Sequence, residues 1–209
     1  MIAIAGGKGG CGKTTTALGL ARALADAGRR VLAVDADRDM PNLHALAGVP
    51  AEPTLADAVE GPDATAAAHP DPTTGGVRIF PASPGADLDL PAALSELRGA
   101  DRHVLLDCPA GAGPDAAAPL RAADATLLVS LPTPESLRDA AKTAAMAREL
   151  DAPPAGAVVV RTDDVPDGVG GLLGVDRPVA VPDGGEAPLR SRATVAAFRR
   201  AVRVVDLDG

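Results

Sequence analysis

The sequence predicts an open, mostly parallel α/β sheet with helices on both faces. Three observations carry that expectation. Short apolar runs recur along the chain, stretches of helical spacing separate them, and the clearest runs end at glycine or aspartate. Strands alternating with helices imply right-handed βαβ crossovers and parallel pairing. Ligands of such sheets bind outside the carboxyl ends of the strands.

The first strand spans residues 2–5, reading IAIA. A glycine-rich loop follows, and from Lys13 the positions Ala17, Leu20, Ala21 and Leu24 keep helical spacing. Gly28 supplies a helix stop. Residues 31–34 form the second strand, which runs into DADRD. Residues 50–100 are dominated by Pro, Gly, Ala and Asp; within them TLADAVEG and PAALSELR predict short helices and VRIF a strand. Residues 104–106 and 126–130 are the next strands. Thr133 then predicts an N-cap with Pro134 at N1, opening a helix that reaches about Leu150. Residues 158–160 and 179–181 are the last strands, and residues 195–205 are helical in pattern. No linker or internal repeat divides the chain, so its 209 residues predict one domain, spanning 1–209.

Composition narrows the function. Aromatics make up only 1% of the chain, so Ala, Val and Leu must build the core. A net charge of −8 disfavours a general nucleic-acid binder and leaves only a local basic patch as a route to one. The acidic surface fits a high-salt cytoplasm and a GC-rich genome equally. Lysine occurs only at Lys8, Lys13 and Lys142, and two of these three fall within six residues. Two cysteines without a CxxC spacing predict a reduced, cytoplasmic protein. The first strand begins at residue 2, so no secretory leader is expected. No apolar run approaches the roughly 20 residues of a membrane-spanning helix.

The loop GGKGGCGKTTT matches G-x-x-x-x-G-K-[ST] from Gly7 to Thr14, between a predicted strand and a predicted helix. Glycines at Gly7, Gly9, Gly10 and Gly12, with Cys11 among them, let backbone N–H groups approach phosphates without a Cβ in the way. The helix N-terminus adds a positive dipole. Lys13 would neutralise β- and γ-phosphate oxygens, Thr14 would ligate Mg²⁺, and Thr15 would add a phosphate contact. Asp107 ends an apolar strand in HVLLDCPAG, a placement suited to holding Mg²⁺ through its water shell. Asp35 and Asp37 end the second strand, two residues apart.

KGGCGKTT resembles the deviant Walker A motif, K-G-G-x-G-K-[ST], of the MinD/ParA family of P-loop ATPases. The resemblance implies a P-loop NTPase fold, ATP and Mg²⁺ as cofactors, and an ATP-dependent homodimer. It implies that Lys8 crosses the interface to the phosphates of the neighbouring subunit's nucleotide, acting as an arginine finger does. It assigns Asp37 to the attacking water, Asp35 to the Mg²⁺ site, and Gly111 to γ-phosphate sensing through its backbone. Asn42, five residues after Asp37, and the PAG after Asp107 favour the MinD side. Arg161 and Pro182 are the candidates at the base, where the family more often carries Asn.

The family also implies a protein activator or cargo, and use as a switch in spatial positioning, of the cell-division or partitioning type. Two alternatives stay open. One is a nucleotide-gated interaction module with little hydrolysis, and the other an iron–sulfur assembly ATPase using Cys108; Cys11 and Cys108 read more simply as small buried side chains. The C-terminal segment pairs Val195, Phe198, Val202 and Val205 on one face, but closes with Asp206 and Asp208. That end is expected to pack on the sheet rather than anchor to a membrane. Arg190, Arg192, Arg199, Arg200 and Arg203 are equally a solvated helix face and a DNA-phosphate-tracking patch, which would give nucleoid association. His44, His69 and His103 are too scattered for a histidine-based site.

Overall fold

The computed structural model describes residues 1–59, 65–85, 88–99, 101–111 and 113–205. Its strands are β1 (Ile2–Ala5), β2 (Val31–Asp35), β3 (His69–Pro70), β4 (Val77–Phe80), β5 (His103–Asp107), β6 (Ala125–Ser130), β7 (Pro154–Val160) and β8 (Val179–Val181). They join in one sheet of order β3-β4-β2-β5-β1-β6-β7-β8. Every pairing is parallel except the short antiparallel edge of β3 on β4. The helices are α1 (Lys13–Asp26), α2 (Leu43–Ala47), α3 (Leu55–Val59), α4 (Leu90–Glu96), α5 (Pro114–Ala122), α6 (Pro134–Glu149), α7 (Val169–Leu173) and α8 (Arg192–Val204), with a 3-10 turn at Pro188–Arg190.

Strands covered on both faces should read as continuous apolar runs. In β2, VLAVD, all five residues are buried. Successive side chains enter opposite layers. Ile4, Val31, Ala33, Leu105 and Val129 meet α1, α2 and α8 on one side. Ala3, Leu32, Val34 and Leu106 meet α3, α4 and α5 on the other, where Leu128 and Val159 also pack against α6 and α7. The chain's two phenylalanines, Phe80 and Phe198, fill one layer each.

Several boundaries move from the expected places for local reasons. The last helix starts three residues before Val195, because the Ser191 hydroxyl caps it by accepting from the Thr194 N–H at 3.4 Å. Strand β7 starts at Pro154, since proline is tolerated at the first position of a strand. Helix α5 has mostly alanine to bury, and α7 reads VGGLL, so neither shows a strong apolar period in sequence. Thr133 caps α6 as expected, accepting from the Ser136 N–H at 3.4 Å. The end of TLADAVEG, residues 60 and 61, and the closing Asp206 and Asp208 lie outside the described residues. The apolar face of α8 is spent inside the fold, with Phe198 and Val202 each 2% exposed.

The sheet order brings the motifs together. Strand β1, which feeds the glycine loop, lies between β5 and β6. Strand β5 also borders β2, in a register that sets Asp35 opposite Asp107, while its register with β1 sets Ile4 opposite the same Asp107. Three strand ends therefore deliver the loop and both carboxylates to one place.

Candidate active site

The glycine loop climbs from β1 and turns into α1 at Gly12. Gly12 is the N-cap and has φ of 92°, a left-handed conformation that suits glycine. No side chain caps α1, so its first N–H groups stay available to an anion. A Cβ on Gly9 would meet nothing within 4 Å. Gly7 is the opposite case: a Cβ there would lie 2.5 Å from the Asp139 Cβ on α6. Cys11 turns away from the loop's mouth and donates its thiol to the Val129 carbonyl at 3.6 Å. Burial pushes its pKa up, against the pull of Lys13.

Lys13 is only 8% exposed, at the first position of α1. Asp107 is 2% exposed, and among the described residues its Oδ1 has no hydrogen-bond partner. Burial raises its pKa to about 8, with the charge of Asp35 adding to the rise, while a Thr14 hydrogen bond and the charge of Lys13 pull it down. An orphaned carboxylate oxygen beside a threonine hydroxyl and a lysine is the donor set a Mg²⁺–phosphate group would complete.

Asp35 is equally buried but fully engaged. Its Oδ1 accepts from the Asp37 N–H at 3.1 Å, and its Oδ2 from the N–H groups of Asn42 and Leu43, both at 3.0 Å. Burial raises its pKa to about 6 against those three N–H groups. It thus pins both ends of the loop at residues 36–43. Within that loop the Met40 N–H donates to the Asp37 Oδ1 at 3.0 Å.

A cleft of about 580 Å³ opens over these groups, lined among others by Lys13, Thr14, Asp37, Asn42 and Arg161. A smaller cavity of about 80 Å³ adjoins it, bordered by Thr15, Val160, Val181, Pro182 and Phe198. Arg161 lines both. Its φ of 59° is left-handed, strain of the kind found at functional sites, and its guanidinium comes within 3.5 Å of the Gly10 carbonyl.

The profile of the CobQ/CobB/MinD/ParA nucleotide binding domain matches residues 2–168. The chain belongs to the MinD/ParA family of P-loop ATPases. Within the MinD/ParA family it lies on the MinD side. The cell-division ATPase MinD of Pyrococcus furiosus superposes with a TM-score of 0.84 at 28% identity, covering 100% of this chain and 98% of that one. The Pyrococcus horikoshii MinD complexed with Mg-ADP gives 0.85 at 28% identity, covering 98% and 95%. The antiactivator FleN of Pseudomonas aeruginosa is 38% identical over 151 residues, which is 67% of this chain and 53% of FleN. An ATP-binding protein of Methanocaldococcus jannaschii is 36% identical over 174 residues, 78% of this chain and 64% of that one. The chain thus spans about half to two-thirds of the length of these two relatives.

Most of the MinD/ParA positions read from the sequence converge. Gly9, Gly10, Gly12, Lys13, Thr14, Thr15, Asp37, Asn42 and Arg161 line one cleft. Pro182 borders the adjoining cavity. Ala110 lines the cleft, with Gly111 next along the chain at φ of 94°. Gly7 sits against α6 and Cys11 against β6. Lys8 is exposed beside the cleft's glycines. Sequence reasoning missed Met40 and Leu46, which are 73% and 40% exposed and line the cleft. Their signal was an apolar residue out of phase with the buried Leu43 and Ala47. It also missed the buried Thr16 hydroxyl, which has no hydrogen-bond partner among the described residues and borders the smaller cavity.

Proposed function

We propose that residues 1–209 form a single ATPase domain that binds Mg-ATP, pairs with a second copy around the nucleotide, and hydrolyses ATP to separate again. The observation that carries this reading is the unpartnered, buried Asp107 oxygen beside Thr14 and Lys13, at the mouth of a glycine loop. The uncapped α1 N-terminus and Lys13 bind the phosphates. Thr14 and Asp107 are the residues that would hold Mg²⁺, whose chemistry is to neutralise charge on the β- and γ-phosphates. Asp35, with both oxygens accepting backbone N–H groups, holds the 36–43 loop beside that ion rather than ligating it directly.

Asp37 reaches the cleft from this loop and orients the attacking water. Asn42 and the Gly111 backbone make the loops sensitive to the γ-phosphate. Arg161 stacks on the base and Pro182 packs beside it. Lys8 contributes its charge to the partner's nucleotide. Exposed Met40 and Leu46 beside the cleft fit a face that a second subunit covers. Likeness to the cell-division ATPase MinD over the full chain supports a role in spatial positioning, with an activator or cargo protein as partner. For DNA binding, Arg199 pairs with Asp26 and Arg200 donates to the Ala180 carbonyl, which leaves Arg190, Arg192 and Arg203 as the freer cations of that end. Among the described residues no helix is long and apolar enough to cross a membrane.

The test compares ATP turnover and ATP-dependent dimerisation of the wild type with Asp37→Ala and Lys8→Ala. Asp37→Ala should dimerise with ATP but turn over at least about 100-fold more slowly. Lys8→Ala should bind ATP as a monomer and fail to pair. If wild type and Asp37→Ala both dimerise and neither hydrolyses ATP, the chain is a nucleotide-gated binding module instead.

A further inference from the structure

Among the described residues the buried threonines are Thr16, Thr54, Thr126, Thr143 and Thr194. Four of their hydroxyls have acceptors. Thr54 donates to the Asp57 carboxylate at 2.8 Å and Thr126 to the Ala152 carbonyl at 2.7 Å. Thr143 donates to the Asp139 carbonyl at 3.1 Å and Thr194 to the Pro182 carbonyl at 3.3 Å. Thr16 is the exception: it is fully buried, and among the described residues its hydroxyl has no hydrogen-bond partner. Thr143 makes the sharpest contrast, because it uses the carbonyl four residues back in its helix, the usual refuge of a helical threonine. The matching carbonyl in α1, that of Gly12, accepts the Thr16 N–H at 2.9 Å and not the hydroxyl. A buried polar group without a partner costs free energy and calls for a reason.

The cavity of about 80 Å³ that Thr16 borders supplies one. A single water needs about 10–15 Å³ of such space, so the cavity has room for a larger group. It shares Gly12, Thr15 and Arg161 with the phosphate cleft, so that group can be one attached to bound phosphates. Val160, Val181, Pro182 and Phe198 give it apolar walls, which suit the faces of a flat heterocycle. The Thr194 hydroxyl also borders it but is committed to the Pro182 carbonyl. That bond fixes the loop after β8, where a Cβ on Gly184 would lie 2.9 Å from the Thr194 Oγ1 and 2.4 Å from the Pro188 Cα. Arg161 and Asp183 line the cavity as exposed residues. Thr16 thus brings a buried, uncommitted hydroxyl to a preformed apolar slot.

We propose that Thr16 is a specificity-determining residue of the nucleotide site, its hydroxyl pairing with one polar atom on the edge of the base. This rests on the reading of the cleft as a nucleotide site. A hydroxyl both donates and accepts, so a ring nitrogen and an exocyclic amine are each suitable partners. The bond forms on binding, which turns a cost in the free chain into a contribution to base affinity.

The experiment measures dissociation constants, with Mg²⁺, of ATP, its 1-deaza, 3-deaza and 7-deaza analogues and purine riboside triphosphate, which lacks the 6-amino group. The proteins are wild type, Thr16→Val and Thr16→Ser. Thr16→Val removes the hydroxyl at nearly constant shape and should weaken ATP about three- to ten-fold. One analogue should be weakened to a similar degree on the wild type, and that penalty should vanish in Thr16→Val and persist in Thr16→Ser. The nucleotide-free Thr16→Val should unfold at no lower urea concentration than the wild type, since it loses no bond. If the wild type binds ATP and Thr16→Val keeps the full wild-type pattern of analogue affinities, the proposal fails and the nucleotide reading stands. An equal loss for ATP and every analogue in Thr16→Val also overturns it, since that marks a packing role. If the wild type does not bind Mg-ATP, the nucleotide reading falls and this proposal with it.

Discussion

Asp107 carries a cost at the residue scale that its neighbours only partly offset. Its carboxyl titrates near 3.8 in an ordinary setting and near 8 here, because burial penalises the anion. Between those values the folded chain keeps a proton that the unfolded chain has released. This contribution to stability is present in full below about pH 4 and is lost as pH rises through about 8, with Asp35 adding the same sign up to about 6. We expect nucleotide-free protein in EDTA to be less stable at pH 8 than at pH 5, read by urea unfolding, and Asp107→Asn to shrink that difference. A larger difference in the variant would refute it. The residue types here were legible in sequence, since phosphate chemistry demands glycine, lysine, threonine and carboxylate at those spacings. The three N–H groups that Asp35 collects were not, because they come from a loop whose path depends on the fold.

At the element scale, the approach of α8 to α1 depends on Gly19. A Cβ there would sit 2.4 Å from the Phe198 ring. Alanine is the better helix former, yet the overlap should dominate. Gly19→Ala is expected to lower stability by about 1–3 kcal/mol in chemical denaturation, and a stabilised variant would show that the two helices can part without cost. The strong helices and strands were readable from their apolar spacing. Helices α5 and α7 were not, because alanine and glycine give a weak period; tertiary packing rather than propensity sets such segments. The two-residue edge strand β3 exists through its pairing with β4 and has no pattern of its own. On that side Asp71, fully buried, forms a two-armed bond with Arg22 of α1, a link between residues 49 apart that no local reading could find.

For the whole molecule, ligand binding and pairing should appear as separate contributions to stability. ATP with Mg²⁺ at about 100 times its dissociation constant should raise the unfolding free energy by about 2.7 kcal/mol through mass action. If the liganded form pairs as proposed, the wild-type midpoint should rise further with protein concentration. In Lys8→Ala the ligand contribution should persist while the concentration dependence vanishes. Thermal shifts at several protein concentrations check both, and a concentration-independent wild type would argue against pairing.

The sequence by itself determined the fold class, the nucleotide chemistry and the family resemblance, because a phosphate loop is contiguous and its residue types follow from local physics. It also marked Lys8 and Lys13 as placed rather than drifted, through the rarity of lysine. The tertiary structure decided what surrounds them. Strand register set Asp35 opposite Asp107, burial left one Asp107 oxygen without a partner among the described residues, and α6 brought Asp139 against Gly7. Those relations join residues that are dozens of positions apart, so only the packed sheet and its layers could create them.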